Sequence, residues 1–214
     1  MTIIKHENYI DGKWVASETY TDNISPSDLN DIIGSYARGG VRETELAIAA
    51  ANTAFAGWSN SAPEERKAVL DKIGAELIER SAELGELLAR EEGKTIAEGV
   101  GEVYRSGQFF QYYAAETLRQ MGEVTDSVRP GVDVEARREA LGVIGIVTPW
   151  NFPMAVAAWK VAPALAYGNT VVLKPAEIVP ASAWALAEII SRSGLPEGVF
   201  NLVMGPGREV GEAI

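Results

Sequence analysis

The chain contains no cysteine and a single histidine, His6. The first absence excludes a disulfide framework, any thiolate metal site and thiol catalysis from within these 214 residues. The second excludes zinc sites built on His and Cys, and a Ser-His-Asp arrangement would have to use His6 itself, close to a chain end. No D-x-D-x-D-G loop offers a calcium site. No run approaches the ~20 apolar residues needed to cross a bilayer, and the opening residues lack the apolar core of a secretory signal. Positive charge is also scarce. Against 30 Asp+Glu stand 19 Lys+Arg, a formal net charge of −11 that repels phosphate and argues against a nucleic-acid partner. What is present is apolar material, 47% of residues, which excludes disorder and supplies a core. Together these features fit a cytoplasmic protein with neither membrane nor nucleic-acid partners.

The first forty residues read as short strands cut by turns. Asn8 to Val15 carries Asp11-Gly12 at its centre, a hairpin signal flanked by Tyr9, Ile10, Trp14 and Val15. Ile32 to Tyr36 reads as another strand, ended by Gly39-Gly40. Helices follow. From Val41 to Trp58 the stripe Leu46, Ala50, Ala54 and Trp58 recurs at i+4. Ser61-Ala62-Pro63-Glu64 resembles a capping box with proline in the first turn. The next helix runs from Pro63 to Glu91 with a break near Ser81, burying Val69, Ile73 and Leu77, then Leu84, Leu87 and Leu88. A third runs from Thr95 to Met121, and its aromatic stripe, Tyr104 to Tyr113, reads as core packing, with the Lys and Glu residues of these helices on a solvated face. Glu123 to Glu139 reads as a two-stranded ribbon turning at Pro130-Gly131, which needs another surface to lie on.

From Val143 onward short apolar strands alternate with helices: Val143 to Thr148, then Thr170 to Leu173, then Val199 to Met204, with helices over 153–167 and 180–193 and a new one from Arg208. This pattern predicts a parallel sheet with right-handed crossovers, whose ligands bind at the carboxyl ends of the strands. After the first strand, Pro149 and Pro153 pin the backbone around Asn151. An amide held this way can donate to a developing oxyanion, or it can merely cap the following helix. After the second strand, Lys174 and Glu177 straddle Pro175-Ala176. They can grip a diol such as a ribose from two sides, or form a surface ion pair. A carboxylate beside a ribose 2′-OH disfavours a 2′-phosphate there. After the third strand, Gly205, Gly207 and Gly211 are spaced G-x-G-x-x-x-G, one residue longer than the usual dinucleotide fingerprint.

These segments, in this order, resemble the N-terminal part of an NAD(P)+-dependent aldehyde dehydrogenase. The residues that carry the resemblance are Gly142 to Pro153 (GVIGIVTPWNFP), Pro163 to Glu177 (PALAYGNTVVLKPAE) and Gly194 to Val203 (GLPEGVFNLV), with Tyr9 to Trp14 (YIDGKW) near the N-terminus. It covers essentially the whole chain. The resemblance implies an α/β fold, a partial Rossmann-like parallel sheet with N-terminal helices and a β-ribbon oligomerisation arm, truncated. Residues 1–122 would be the N-terminal strands and helices of the cofactor domain, 123–140 the ribbon that extends a partner subunit's sheet, and 141–214 an incomplete βαβαβ cofactor-binding segment.

The resemblance also implies roles. Asn151 would be the oxyanion-stabilising amide that orients a small-molecule aldehyde. Lys174 and Glu177, with Pro175 and Ala176 between them, would hold the adenine ribose of NAD, with NADP as the alternative cofactor. Val147, Thr148, Pro149, Trp150 and Asn151 would line the cofactor cleft, and Gly207 and Gly211 would lie beside the adenosine half. The nearest look is to semialdehyde dehydrogenases such as α-ketoglutaric semialdehyde dehydrogenase, working as a homo-oligomer in full-length form. The family's phosphate-contacting Gly-Ser segment, general-base glutamate and cysteine nucleophile would all lie beyond Ile214, so this chain alone is expected to be catalytically silent. An alternative of a different class is a non-catalytic NAD-binding or subunit-assembly module.

Overall fold

A computed structural model describes residues 3–214. In chain order the strands and helices are β1 (Lys5–His6), β2 (Asn8–Ile10), β3 (Lys13–Val15), β4 (Tyr20–Ile24), β5 (Ile32–Ala37), α1 (Val41–Ser59), α2 (Pro63–Glu79), α3 (Ser81–Glu92) and α4 (Ile96–Glu116). A single 3-10 turn (Thr117–Arg119) leads to β6 (Glu123–Asp126) and β7 (Asp133–Ala136), followed by β8 (Val143–Val147), α5 (Ala155–Ala166), β9 (Thr170–Lys174), α6 (Pro180–Ser191) and β10 (Phe200–Leu202). A wide turn over Gly207–Gly211 comes after β10.

The central sheet has five strands in the order β3-β2-β10-β9-β8. The expected parallel βαβαβ unit forms its β8-β9-β10 half, with Val147 opposite Lys174 and Leu173 opposite Leu202. The rest of the sheet is the N-terminal hairpin, added antiparallel to β10 through Leu202 and Tyr9. Its Asp11-Gly12 turn has φ of 51° and 74°, the paired positive values of the tight turn that suits strand twist. Asn201, fully buried, pins it there: its Oδ1 accepts from the Asp11 amide at 3.0 Å while its Nδ2 donates to the carbonyl of Gly198 at 2.7 Å. A smaller sheet, β1-β5-β4, stands beside this one, and among the described residues β6 and β7 pair only with each other. All eight residues of the ribbon strands are exposed.

Several local expectations are corrected. On α1 the buried face is Thr44, Ala47, Ala51 and Trp58, not the Leu46-Ala50-Ala54 row; Leu46 is 49% exposed. A strict i+4 row drifts about 40° per step on a helix of 100° per residue, so it leaves the core face within a few turns. Helix α2 starts at Pro63, but its cap is built from Glu65, whose carboxylate accepts from the Ala62 amide at 3.3 Å. The Ser61 hydroxyl instead donates back to the Trp58 carbonyl. The break between α2 and α3 falls at Arg80 as expected.

Of the α4 aromatics only Phe110 is buried, and Tyr104 and Tyr112 stand 46% and 59% exposed. The face that α4 turns inward is mostly small, Gly99, Val103, Ser106, Gly107 and Ala114 beside Phe110, so backbones rather than rings meet at its crossings. A Cβ on Gly107 would lie 2.7 Å from the Gly74 carbonyl of α2, and one on Gly85 of α3 would lie 2.5 Å from Val100. The last expected strand is shorter than Val199–Met204, because the amide of Met204 is taken by the Asn8 side chain at 2.8 Å.

Candidate active site

The predicted site residues converge on one edge of the molecule because β8, β9 and β10 are parallel neighbours and all end there. The Thr148 amide donates to the Lys174 carbonyl at 3.1 Å, tying the first strand end to the second. The Glu177 carboxylate accepts from the Gly207 amide at 2.7 Å, tying the second to the third. Thr148 is buried and its hydroxyl has no protein partner among the described residues. Val147 and Trp150 are 53% and 57% exposed, so one wall of this edge is open and apolar.

Lys174 is 4% exposed, and its ammonium donates to the Pro175 carbonyl at 2.7 Å. Among the described residues it forms no ion pair within 4 Å, so the surface-pair reading of Lys174 with Glu177 is not what the structure holds. Burial lowers its pKa, opposed by the charge of Glu177. A buried ammonium with three donors and one protein acceptor has bonding capacity left for hydroxyls. Pro175 is buried, Ala176 partly buried and Glu177 exposed, so the carboxylate stands at the rim above the lysine. Side-chain atoms added at Gly207 or Gly211 would meet nothing within 4 Å, so no neighbour in this chain requires glycine there. Gly205 differs, because any Cβ on it would strike the Gly39 carbonyl.

At the first strand end, the reading of Asn151 as a helix cap fails. The amides at the start of α5, Met154 and Ala155, both donate to one carboxylate oxygen of Glu102 at 3.0 Å. That carboxylate comes from α4, and its negative charge sits at the positive end of α5. The Asn151 side chain is exposed and has no hydrogen-bond partner among the described residues. The other oxygen of Glu102 accepts from Lys94 at 2.8 Å, and the same ammonium donates to the backbone carbonyl of Asn151 at 3.0 Å. Lys94 also lies over the Phe152 ring, 4.4 Å from its centre.

Glu102, expected on a solvated helix face, has a side chain only 2% exposed, and Lys94, which lies between the expected helices and carries no expected role, is 12% exposed. A signal was available for the first. Glu102 falls between Gly99, Val103 and Ser106, in phase with the buried face of α4, where an unpaired charge would be costly.

The chain matches the aldehyde dehydrogenase family over residues 14–214. It is 40% identical over 207 residues to the α-ketoglutarate semialdehyde dehydrogenase of Haloferax volcanii, covering 96% of this chain and 43% of that protein. It is also 40% identical to the betaine aldehyde dehydrogenase of Bacillus subtilis, over 96% of this chain and 43% of that one. Among solved structures, an NADP-dependent enzyme of Escherichia coli superposes with a TM-score of 0.95 at 35% identity, over 98% of this chain and 44% of that one. The betaine aldehyde dehydrogenase of Staphylococcus aureus in complex with NAD+ gives 0.94 at 34% identity, over 98% and 42%. The chain thus spans less than half the length of these relatives.

Proposed function

The chain belongs to the aldehyde dehydrogenase family, and from that premise we propose that it forms the N-terminal part of an enzyme oxidising an aldehyde to a carboxylic acid with NAD+. The observation that carries the reading is the free amide of Asn151, which Glu102 relieves of helix capping, on the same sheet edge as the buried Lys174 ammonium. Lys174 and Glu177 hold the adenine ribose, Val147 to Trp150 line the cleft, and the open flanks of Gly207 and Gly211 admit the adenosine half. The family's cofactor supplies the hydride acceptor; these residues bind and orient it.

The Glu177 carboxylate at the rim favours NAD over NADP, because it would repel a 2′-phosphate. The substrate class is a semialdehyde, on the strength of the relatives' names. The exposed ribbon β6–β7 serves as an oligomerisation arm, and the enzyme is a cytoplasmic homo-oligomer. No described helix is long and apolar enough to cross a membrane. Residues 1–122, 123–140 and 141–214 divide into cofactor-domain framework, arm and nucleotide-binding segment.

The chain has no cysteine, so no thiohemiacetal forms on it and Asn151 alone has no oxyanion to stabilise. In the full-length enzyme, Asn151→Ala is expected to lower kcat by about 10²–10³-fold, the usual loss for one oxyanion donor, with NAD+ affinity little changed. The 214-residue chain by itself is expected to give no aldehyde-dependent NADH. Activity from the isolated chain, or an unimpaired Asn151→Ala enzyme, contradicts the reading. The exposed ribbon favours one alternative, a non-catalytic binding or assembly module, which mixed oligomers of the 214-residue chain with full-length subunits, read by native mass, would support.

A further inference from the structure

Lys94 stands at the junction of three parts of the chain. It lies just after Gly93, the left-handed residue (φ 86°) that ends α3, and just before Thr95, the cap of α4. Its ammonium reaches Glu102 at 2.8 Å and Glu92 at 3.4 Å, and crosses to the β8–α5 loop to donate to the Asn151 carbonyl. That loop has few other fixings at its tip: Pro149, Trp150, Asn151 and Phe152 are all exposed. The Thr148 amide is held by the Lys174 carbonyl before the tip and the Phe152 carbonyl accepts from Val156 after it, and the side-chain fixings around Asn151 converge on one pair of residues. Glu102 holds the amides of Met154 and Ala155 just after Asn151, and Lys94 holds the carbonyl of Asn151 itself.

We propose that Lys94 is a positioning residue of the active site, whose ammonium, seated on Glu102, fixes the backbone of Asn151 and thereby aims its side-chain amide. The inference rests on the oxyanion reading of Asn151 proposed above. The physical argument is one of lever length. An amide donor works only when its nitrogen stands within hydrogen-bond reach of the developing oxyanion, and a misplacement of about 1 Å costs on the order of 10²-fold. The Asn151 side chain has only two rotatable bonds between its own backbone and the amide, so anchoring the backbone sets most of the position. A charge-assisted bond from a largely buried ammonium is a stiff anchor. Lys94 does not touch substrate on this account; it acts through Asn151.

The test is a double-mutant cycle in the full-length enzyme. Lys94→Met keeps a long unbranched side chain and removes the ammonium, with its bonds to Glu102 and Asn151 and its contact over Phe152. It is expected to lower kcat about tenfold or more while the NAD+ dissociation constant stays close to wild type, and to lower the thermal midpoint as well, because it leaves the buried Glu102 carboxylate without its ammonium. Lys94→Arg, which can still pair with Glu102, is expected to recover most of the loss. In an Asn151→Ala background Lys94→Met should have almost no further effect on kcat, because the group it aims is gone. A residue with a merely structural role would multiply the Asn151→Ala defect instead, and that result overturns the proposal. So does an unchanged kcat in Lys94→Met. Should Met at 94 prevent folding, Lys94→Gln, a neutral donor that holds the Asn151 carbonyl less firmly, is expected to lower kcat by a smaller factor that likewise vanishes in the Asn151→Ala background. If Asn151→Ala itself leaves kcat intact, the oxyanion reading has failed; if Asn151→Ala is crippled and Lys94→Met is not, only this inference has.

Discussion

Glu91 shows how much a single residue can hold. It is 2% exposed, and its carboxylate accepts from the Ala181 and Ser182 amides, the Ser182 hydroxyl and the Asn23 side chain. It thereby caps α6, the helix that follows the Lys174–Glu177 loop, from α3. Burial pushes its pKa up from 4.5 to about 7, with the bonds from Ser182, Ala181 and Asn23 pulling the other way. The folded state therefore keeps a proton, between about pH 4.5 and 7, that the unfolded chain releases. This group's contribution to stability is greatest below the unfolded pKa and is lost as pH rises through the folded one, a swing on the order of 3 kcal/mol. Ion pairs such as Asp31–Arg90, where the guanidinium holds the carboxyl below its ordinary value, slope the opposite way at lower pH. The check is therefore a difference: urea unfolding of wild type and Glu91→Gln between pH 5 and 7. The difference should shift in favour of Gln as pH rises, and parallel curves contradict the assignment. Sequence reasoning missed Glu91 as it missed Glu102. Both carboxylates follow buried leucines or glycines at helical spacing, and both were read as surface charge because charge usually is.

At the scale of elements, the strands were far more legible than the helix faces. Sheet strands are short apolar runs, so 143–147 and 170–174 announce themselves, although only the second is buried throughout and 143–147 lies at the sheet edge with Ile146 alone buried; Asp11-Gly12 marks its hairpin by turn chemistry alone. Which helix face turns inward was harder, because apart from Trp58 and Phe110 the buried faces of α1 and α4 are built mostly of small residues. Glycines at the α4 crossings explain why: the α4 backbone approaches α2 and α3 too closely for side chains. This close packing is what brings Glu102 and Lys94 up to the β8–α5 loop. Gly107→Ala would drive a methyl into the Ile78 side chain and the Gly74 carbonyl, and the second is helix backbone that can yield only if α2 shifts. It is expected to cost about 1–3 kcal/mol by overpacking, read as a lowered denaturation midpoint, whereas Gly101→Ala on the same helix meets open space and should be neutral or slightly stabilising. Equal effects at the two positions would show that α4 does not pack as described. The antiparallel docking of the hairpin on β10 was beyond local reading, since it depends on Asn201 meeting Asp11 across 190 positions of sequence.

At the scale of the whole molecule, the three strand ends gather every site residue named from sequence except Gly211, which lies one turn farther on. The order of strands and loops could be read from the chain, and the side-chain partners that set the site could not. β8 is left as an open sheet edge, flanked by exposed Val147, Trp150 and Phe152. The central claim is that these 214 residues carry a site for the adenosine half of a nicotinamide dinucleotide, built on Lys174 and Glu177. The most direct measurement is a calorimetric titration of NAD+ into the folded chain, with Lys174→Met and Glu177→Gln beside it. The account predicts saturable binding that each variant weakens about tenfold or more, the loss of one charge-assisted hydrogen bond, with folding unchanged by circular dichroism. A folded chain that does not bind NAD+, or that binds it equally well in both variants, would contradict it.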